Sequence, residues 1–131
     1  MKILEIPKIE LPSGMDVLCV DLCNLLNRLL DTETFESCSG HTKHPYWIFF
    51  HCTNIEVLSR LGRCVSRNYS DGNWEILVDS TDTNPIGCFW LRTKDTLPFE
   101  ELVKSLIQLE DNILHWFKDE FDEHFNAPSI C

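Results

Sequence analysis

Side chains that could perform chemistry gather in one short stretch of the chain, residues 37–45. Cysteine and histidine can act as nucleophile and base, and histidine can carry positive charge near neutral pH. Hydroxyl groups and backbone amides turned outward at a glycine can together bind an anion. The stretch follows a predicted strand, so we expect it to form a ligand-binding loop. Its candidate binding residues are Ser37, Cys38, Ser39, Gly40, His41, Lys43 and His44.

A set of arginines could complete such an anion site. The middle of the chain, residues 31–99, contains 6 of the 11 basic side chains. Arg60, Arg63 and Arg67 are spaced i, i+3 and i+7, which places them on one face of a predicted helix. Guanidinium groups bind phosphate or carboxylate through paired hydrogen bonds. We therefore expect these three arginines and Arg92 to form a cationic wall beside the loop.

Three interpretations of the loop's chemistry stay open. Cys38, His41 and His44 are ligand types that zinc accepts, although the paired cysteines of common structural zinc sites are lacking. Cys38 and His41 could also be a nucleophile and its base, but no third residue that would orient the histidine is recognisable. The leading hypothesis is non-covalent binding of a small anionic, nucleotide-like ligand, without catalysis and without a cofactor.

The loop also resembles a motif of a known enzyme family. Ser37-Cys38-Ser39-Gly40, at the end of a predicted strand and after an N-terminal helix, resembles part of the Ser-Ser-Cys-Ser-Gly-Arg signature of the Tyw3-like family of tRNA wybutosine-synthesis methyltransferases. Glu36 stands where that family has its first serine, and His41 stands where it has arginine. The resemblance implies an α+β fold and an enzyme that uses S-adenosylmethionine, which is the alternative hypothesis.

A second resemblance concerns the same loop. The Ser-Cys-x-Gly-His form followed by proline, carried here by Ser37, Cys38, Gly40, His41 and Pro45, is similar to small, mostly uncharacterised proteins of bacteria and their phages. Some short phage counter-defence proteins sequester nucleotide signals without cleaving them. This resemblance implies a nucleotide-sequestering protein with a binding site for a small nucleotide.

The loop must be positioned by regular elements, which hydrophobic periodicity and turn residues predict. An N-terminal helix is followed by two ββα units that form a loose internal repeat. The second strand is apolar on both faces, so we expect it to be central and covered on both sides. The first and last predicted helices cover about 17–30 and 98–125, and the middle one opens at the capping box 53–56 and continues through Val65. The predicted strands cover 33–38, 46–52, 74–79 and 86–93.

Together these elements predict an α+β fold with a roughly four-stranded, mainly antiparallel sheet packed with helices. No linker rich in glycine, serine or proline divides the chain, so we expect a single domain over residues 1–131. Its first segment, 1–12, is predicted to be an extended lead-in, and its last, 126–131, a tail.

Composition limits the partners. The net charge of −10 disfavours non-specific binding to nucleic acids, which are polyanions. No apolar run approaches the roughly 20 residues of a membrane span. The start of the chain lacks the apolar segment of a signal peptide, and the 7 cysteines are an odd number. We therefore expect a cytoplasmic protein with free thiols and no membrane partner.

The last predicted helix suggests another interaction. Residues 100–131 contain 8 acidic and 2 basic side chains, and Phe117, Phe121 and Phe125 recur every four residues among them. An exposed phenylalanine stripe favours aggregation unless something covers it. We therefore expect a homodimer through the C-terminal helix. A further alternative is a protein-interaction module that docks a basic partner on this acidic helix.

Overall fold

The computed structural model describes residues 16–118. In that part of the chain the helices and strands follow one another in the predicted order, and a short 3-10 turn, Gly40–Thr42, separates the first two strands. The prediction of an α+β fold is confirmed. The elements are α1 (Val17–Asn27), β1 (Thr32–Cys38), β2 (Trp47–Cys52), α2 (Ile55–Val65), β3 (Trp74–Val78), β4 (Cys88–Thr93) and α3 (Phe99–Trp116).

The four strands form one sheet in the order β1-β2-β4-β3, and every neighbouring pair is antiparallel. Each ββα unit supplies a hairpin, and the two hairpins meet along their second strands. Ile48 of β2 lies opposite Leu91 of β4, and Phe50 lies opposite Phe89. The central position predicted for β2 is therefore confirmed, and the loose repeat in the sequence corresponds to two hairpins joined at the centre of the sheet.

Several element ends differ from the predictions, and two of these differences have a clear local cause. Strand β4 begins at Cys88 rather than 86, because Gly87 has a φ of 94° and turns the chain just before it. Helix α3 ends at Trp116, after which Phe117 leaves helical geometry with a φ of −111°. Phe117 is buried in the core, so the aromatic stripe does not begin on an exposed side chain. Phe121 and Phe125 lie outside the described residues, as do the lead-in and the tail, and the homodimer stays a prediction.

All three helices pack on one face of the sheet, where they enclose the core. Burying one leucine, isoleucine or phenylalanine side chain stabilises the fold by about 1.5–3 kcal/mol. Helices, central strands and both ββα units contribute to this core. Its fully buried side chains include Leu22, Leu26, Ile48, Phe50, Leu61, Leu91, Leu109 and Ile113.

The opposite face of the sheet is aromatic. Because side chains alternate across a strand, Trp47, Phe49 and His51 point away from the helices. Phe49 is only 8% exposed, because the rings of Phe35 and Trp90 pack on it with centroid distances of 5.9 and 4.6 Å. Within residues 16–118, helices therefore cover one face of β2, and aromatic rings from the neighbouring strands pack on the other.

Two further expectations concern a membrane-spanning helix and the state of the cysteines. Within residues 16–118, no helix combines the length and apolarity needed to cross a bilayer. The six cysteines in this range are free thiols, as predicted, and five of them are buried.

A buried polar network fixes α3 to the start of β3. The indole nitrogen of Trp74 donates to the Ser105 hydroxyl oxygen at 2.8 Å, and that hydroxyl donates to the Asp71 carboxylate at 2.7 Å. Trp74 and Ser105 are both 2% exposed, so neither group can exchange its partner for water. The network therefore makes this part of the core specific for one packing arrangement.

We predict that Ser105→Ala lowers the free energy of unfolding by about 1–3 kcal/mol, because it leaves the buried Trp74 N–H without its acceptor. Urea unfolding followed by circular dichroism measures the effect. Gln108→Ala, an exposed change on the same helix, is the matched control and should be close to neutral. Equal stability of the two variants would contradict the assigned network.

Candidate functional site

The loop between β1 and β2 is organised around the carboxylate of Asp16. Asp16 is the N-cap of α1, where one carboxylate oxygen accepts the amide hydrogen of Leu18 at 3.1 Å. Its other oxygen, Oδ2, accepts the amide hydrogen of Ser39 at 2.9 Å and lies 3.5 Å from Nε2 of His41. One side chain therefore ties the start of the first helix to the end of the first strand.

The backbone of this loop has an unusual conformation. Gly40, His41 and Thr42 have φ values of 82°, 50° and 63°. Glycine adopts such angles without cost, whereas a β-branched threonine there is an outlier. A Cβ atom on residue 40 would lie 3.1 Å from the carbonyl oxygen of Pro45. The glycine is thus needed, and the surrounding contacts hold its two neighbours in strained conformations that are typical of ligand-binding segments.

Four backbone amides of the loop, those of Gly40, His41, Lys43 and His44, have partners within the loop itself. The Gly40 amide donates to Cys38 Sγ at 3.3 Å, and the His41 amide donates to the Ser39 hydroxyl at 3.4 Å. The Lys43 and His44 amides donate to the Gly40 carbonyl oxygen at 2.8 and 3.1 Å. The anion held by this loop is therefore the chain's own Asp16, and these amides do not form the open cradle that the sequence suggested.

Asp16, Cys38 and His41 form a compact cluster. A carboxylate oxygen, Sγ and an imidazole nitrogen from the three residues all lie within 4.8 Å of one another. Partial burial opposes ionisation of Asp16, but hydrogen bonds from Ser39 and Leu18 and the nearby His41 outweigh it and hold the pKa of this carboxyl below its ordinary value. The His41 side chain is 70% exposed, so the cluster opens to solvent.

Asp16 was missed as a site residue because the sequence marks it only as a helix cap. It lies 22 positions before Cys38, and no local spacing connects the two. The only indication in the sequence was that Asp16 lies at the start of a helix and that this helix is followed by the strand on which it packs.

Cys38 differs from the other described cysteines in its environment. Burial raises the pKa of the Cys19 and Cys64 thiols to about 12, and burial also raises the pKa of Cys23 and Cys88. Cys38 is half-buried at the end of β1. The accessibility of Cys38 is thus compatible with the prediction that it is the cysteine available for chemistry.

Two other predicted site residues, His44 and Arg92, meet elsewhere. Together with Pro45 they line a cavity of about 540 Å³ on the aromatic face of the sheet. The walls also include Trp47 and Trp90, whose ring centroids are 5.3 Å apart at an angle of 64°.

The cavity has a polar edge. The indole nitrogen of Trp90 donates to Asp79 at 3.2 Å, and hydrogen bonds from Asn84, Thr81 and Trp90 hold the pKa of Asp79 below its ordinary value. Arg92 donates through Nε to Glu75 at 2.8 Å. The site therefore combines two indole rings with one carboxylate and one guanidinium group.

The arginines of α2 do not line this cavity. Arg60 lies 3.4 Å from Glu56, and its guanidinium stacks over the Phe117 ring at 5.1 Å. The Arg63 guanidinium lies over the Trp116 ring at 5.8 Å, and the Arg67 side chain passes close to Gly72. The predicted cationic wall is therefore divided. Arg60 and Arg63 of α2 pack against the end of α3, Arg67 lies beyond the end of α2 beside the turn before β3, and of the four arginines only Arg92 reaches the cavity.

The remaining loop residues occupy different positions. Ser37 is half-buried on β1, where its hydroxyl hydrogen-bonds to the thiols of Cys19 and Cys23 under α1. Ser39 is buried beside Asp16, and Lys43 is exposed. The structure thus divides the predicted loop residues: Cys38, Ser39 and His41 lie at Asp16, whereas His44 lines the aromatic cavity.

A second hollow, of about 660 Å³, lies at the turn between α1 and β1. Arg28, Asp31, Glu33 and His51 are among its lining residues, which include no tryptophan, tyrosine or phenylalanine. It contains none of the predicted site residues, and Leu29 and Leu30 supply its apolar lining.

The fold and these sites define an α+β protein with a ligand-sized aromatic cavity beside a strained cysteine–histidine loop. Comparison of the chain with protein-family models, curated proteins and solved structures found no match.

We predict that Cys38 is alkylated faster than the other described cysteines, because it is accessible and the others are buried. The experiment uses iodoacetamide with EDTA in a Cys131→Ser background, and mass spectrometry identifies the modified thiols. Cys38→Ser should remove the fast phase, and urea should make all thiols reactive. Equal native rates for Cys38 and Cys64 would contradict the structure.

We also predict that the stability difference between wild type and Asp16→Asn depends on pH. The folded-state pKa of Asp16 is lowered, so its ionised form stabilises the fold above the unfolded-state pKa. That contribution is lost as pH falls through the lower, folded-state value. At pH 7 the variant should be less stable by about 0.5–1.5 kcal/mol, and the difference should shrink below about pH 4.

Urea unfolding at pH 7, 5, 4 and 3 tests this expectation. Asparagine is itself a good N-cap, so the variant removes the charge and keeps the cap. Asp82→Asn, at an exposed turn residue, is the control. A difference between wild type and Asp16→Asn that stays constant over the whole pH range would show that the ionised carboxylate contributes nothing.

Proposed function

We propose that the protein binds a small, planar heteroaromatic ligand of the nucleotide class in the aromatic cavity and does not alter it chemically. The observation that carries the proposal is the pairing of Trp47 and Trp90 with the charged side chain of Arg92 in one cavity of about 540 Å³. Ligand sites of small molecules have volumes of about 300–1,000 Å³, so a nucleotide fits the available space.

Stacking would supply much of the affinity. A nucleobase stacked on an aromatic side chain gains about 1–3 kcal/mol. Trp90 is already supported from below by Phe49, at a centroid distance of 4.6 Å, and its indole nitrogen is held by Asp79. The ring is thus positioned before a ligand arrives, which reduces the entropy lost on binding.

The polar groups would select for a nucleotide over a plain aromatic compound. The Asp79 carboxylate can accept hydrogen bonds from amino or hydroxyl groups of a nucleoside. The Arg92–Glu75 hydrogen bond uses the guanidinium Nε, and the two terminal nitrogens can donate to a phosphate. His44 brings the loop to the same cavity and supplies a further donor.

The charge of the whole chain supports a small ligand. A protein with a net charge of −10 repels long polyanions, whereas one phosphate group needs only a local partner such as Arg92. The bacterial and phage proteins that the loop resembles led to the same ligand class. The net charge and the resemblance of the loop both favour a mononucleotide or cyclic nucleotide over a nucleic-acid polymer.

The geometry of Cys38 and His41 favours binding over cysteine catalysis. In a nucleophile–base–acid relay the imidazole lies between the other two groups, which separates the sulfur from the carboxylate by roughly 7 Å. Here Sγ, the imidazole nitrogen and the carboxylate oxygen all lie within 4.8 Å of one another. The three groups converge on one point and do not form a relay.

We predict that nucleotides raise the unfolding temperature, because a ligand at 100 times its Kd adds about 2.7 kcal/mol of stability. A thermal-shift panel of nucleosides, mononucleotides and cyclic nucleotides in EDTA tests this, with tryptophan fluorescence titration as a second readout. Arg92→Gln should lower the affinity for phosphate-bearing ligands by about 10–100-fold, and Trp47→Leu should lower the affinity for every ligand of the panel.

Arg67→Gln is the matched control, since this exposed arginine does not line the cavity. Its binding should equal that of the wild type. If no ligand in the panel shifts the unfolding temperature or the fluorescence, the proposal is wrong. If Arg67→Gln weakens binding as much as Arg92→Gln does, the ligand binds outside the cavity.

A further inference from the structure

We propose that Asp16, Cys38 and His41 bind one divalent transition-metal ion of the zinc class at the solvent-facing side of the β1–β2 loop. The inference concerns residues outside the aromatic cavity and does not depend on the ligand proposed for it. It rests on the mutual distances of the three donor atoms, their chemical types and the hydrogen bonds that orient them.

The distances suit a single ion. A tetrahedral ion with bonds of about 2.0–2.3 Å separates its ligand atoms by roughly 3.3–3.8 Å. Nε2 of His41 and Oδ2 of Asp16 are 3.5 Å apart, and the Cys38 sulfur belongs to the same group of atoms within 4.8 Å. The Cys38 sulfur needs to move by at most about 1 Å to reach the ligand separation of a tetrahedral ion. Cys38 is half-buried, which leaves room for this movement.

The donor types select the metal. Thiolate and imidazole are ligands of zinc and neighbouring first-row ions, whereas calcium and magnesium prefer sites built from oxygen alone. A set of one sulfur, one nitrogen and one oxygen therefore favours Zn²⁺, and Co²⁺ can replace it as a spectroscopic probe. Three protein ligands leave one position of a tetrahedron for water or for a bound ligand.

Hydrogen bonds hold the donors in place. The amides of Ser39 and Leu18 orient the Asp16 carboxylate, and the Gly40 amide donates to Cys38 Sγ. Such partners behind metal ligands fix their orientation and raise metal affinity. The positive φ of His41 directs the loop so that its imidazole meets a carboxylate from another element.

The structure also changes the ligand set that the sequence suggested. His44, the third ligand in the Cys38–His41–His44 interpretation, lines the aromatic cavity. Asp16 takes its place in the cluster, although it lies far away in sequence. A zinc ligand set read from local spacing alone would therefore name the wrong third residue.

Cobalt titration of the full chain tests the proposal. The protein, in a Cys131→Ser background, is stripped with a chelator and titrated with Co²⁺ in the absence of any nucleotide. We expect one equivalent of Co²⁺ to bind and to produce the thiolate-to-cobalt charge-transfer band together with the visible bands of tetrahedral cobalt. Added Zn²⁺ should displace the Co²⁺ and abolish both.

Variants identify the ligands. Cys38→Ser should remove the charge-transfer band, and His41→Ala and Asp16→Asn should each weaken Co²⁺ binding roughly 100-fold or more. His44→Ala and Cys88→Ser should retain the wild-type spectrum and affinity, with circular dichroism confirming that each variant folds. The absence of a charge-transfer band in the wild type, or its persistence in Cys38→Ser, would overturn the proposal.

The result is independent of the proposed function. Nucleotide binding is measured in EDTA and metal binding is measured without nucleotide, so either proposal can fail while the other holds. Weaker metal binding in His44→Ala than in Asp16→Asn would overturn the assignment of Asp16 as the third ligand.

Discussion

The carboxylate of Asp16 is the interaction on which the loop and its surroundings depend. It caps α1 through the amide of Leu18, accepts the amide hydrogen of Ser39 and lies beside His41. An ionised carboxylate that receives several hydrogen bonds is held more strongly than a neutral group would be. The start of the first helix, the end of the first strand and the strained loop are therefore fixed to one another by a single side chain.

The two faces of the sheet have different roles. The helix-covered face holds the aliphatic core, in which Ile48 and Leu91 meet at the centre of the sheet. The other face presents aromatic rings, in which Phe49 supports Trp90 from within the sheet. Trp47 and Trp90 of the cavity lie on the same two central strands as Ile48 and Leu91 of the core. The packing of the core therefore also fixes the positions of the two indole rings. The lining of the aromatic cavity thus comes from β2, β3 and β4 and from Asp79 and Ser80 after β3, while His44 and Pro45 come from the β1–β2 loop.

Patterns among neighbouring residues predicted some features of the structure correctly and others incorrectly. The strand with the sequence Trp47 to Cys52 was recognisable as central because aromatic and β-branched residues fill both of its faces, and this property does not depend on its neighbours. The loop was recognisable from its density of hydroxyl, thiol and imidazole groups. The grouping of Arg60 with Arg92 was not correct, because helix spacing defines a shared face of α2 but does not say what that face packs against. Here it packs against Phe117 and Trp116.

The sequence by itself determined the order of the elements and the α+β class, and it singled out Cys38 and His41 as candidate site residues. These features follow from hydrophobic periodicity, turn residues and side-chain chemistry, which act over a few neighbouring residues. Only the tertiary structure decided that Asp16 joins Cys38 and His41 and that His44 joins Arg92 and the two tryptophans. Such groupings depend on which strands pair and on how α1 packs against β1, and contacts between residues distant in sequence leave no periodic signal in the chain.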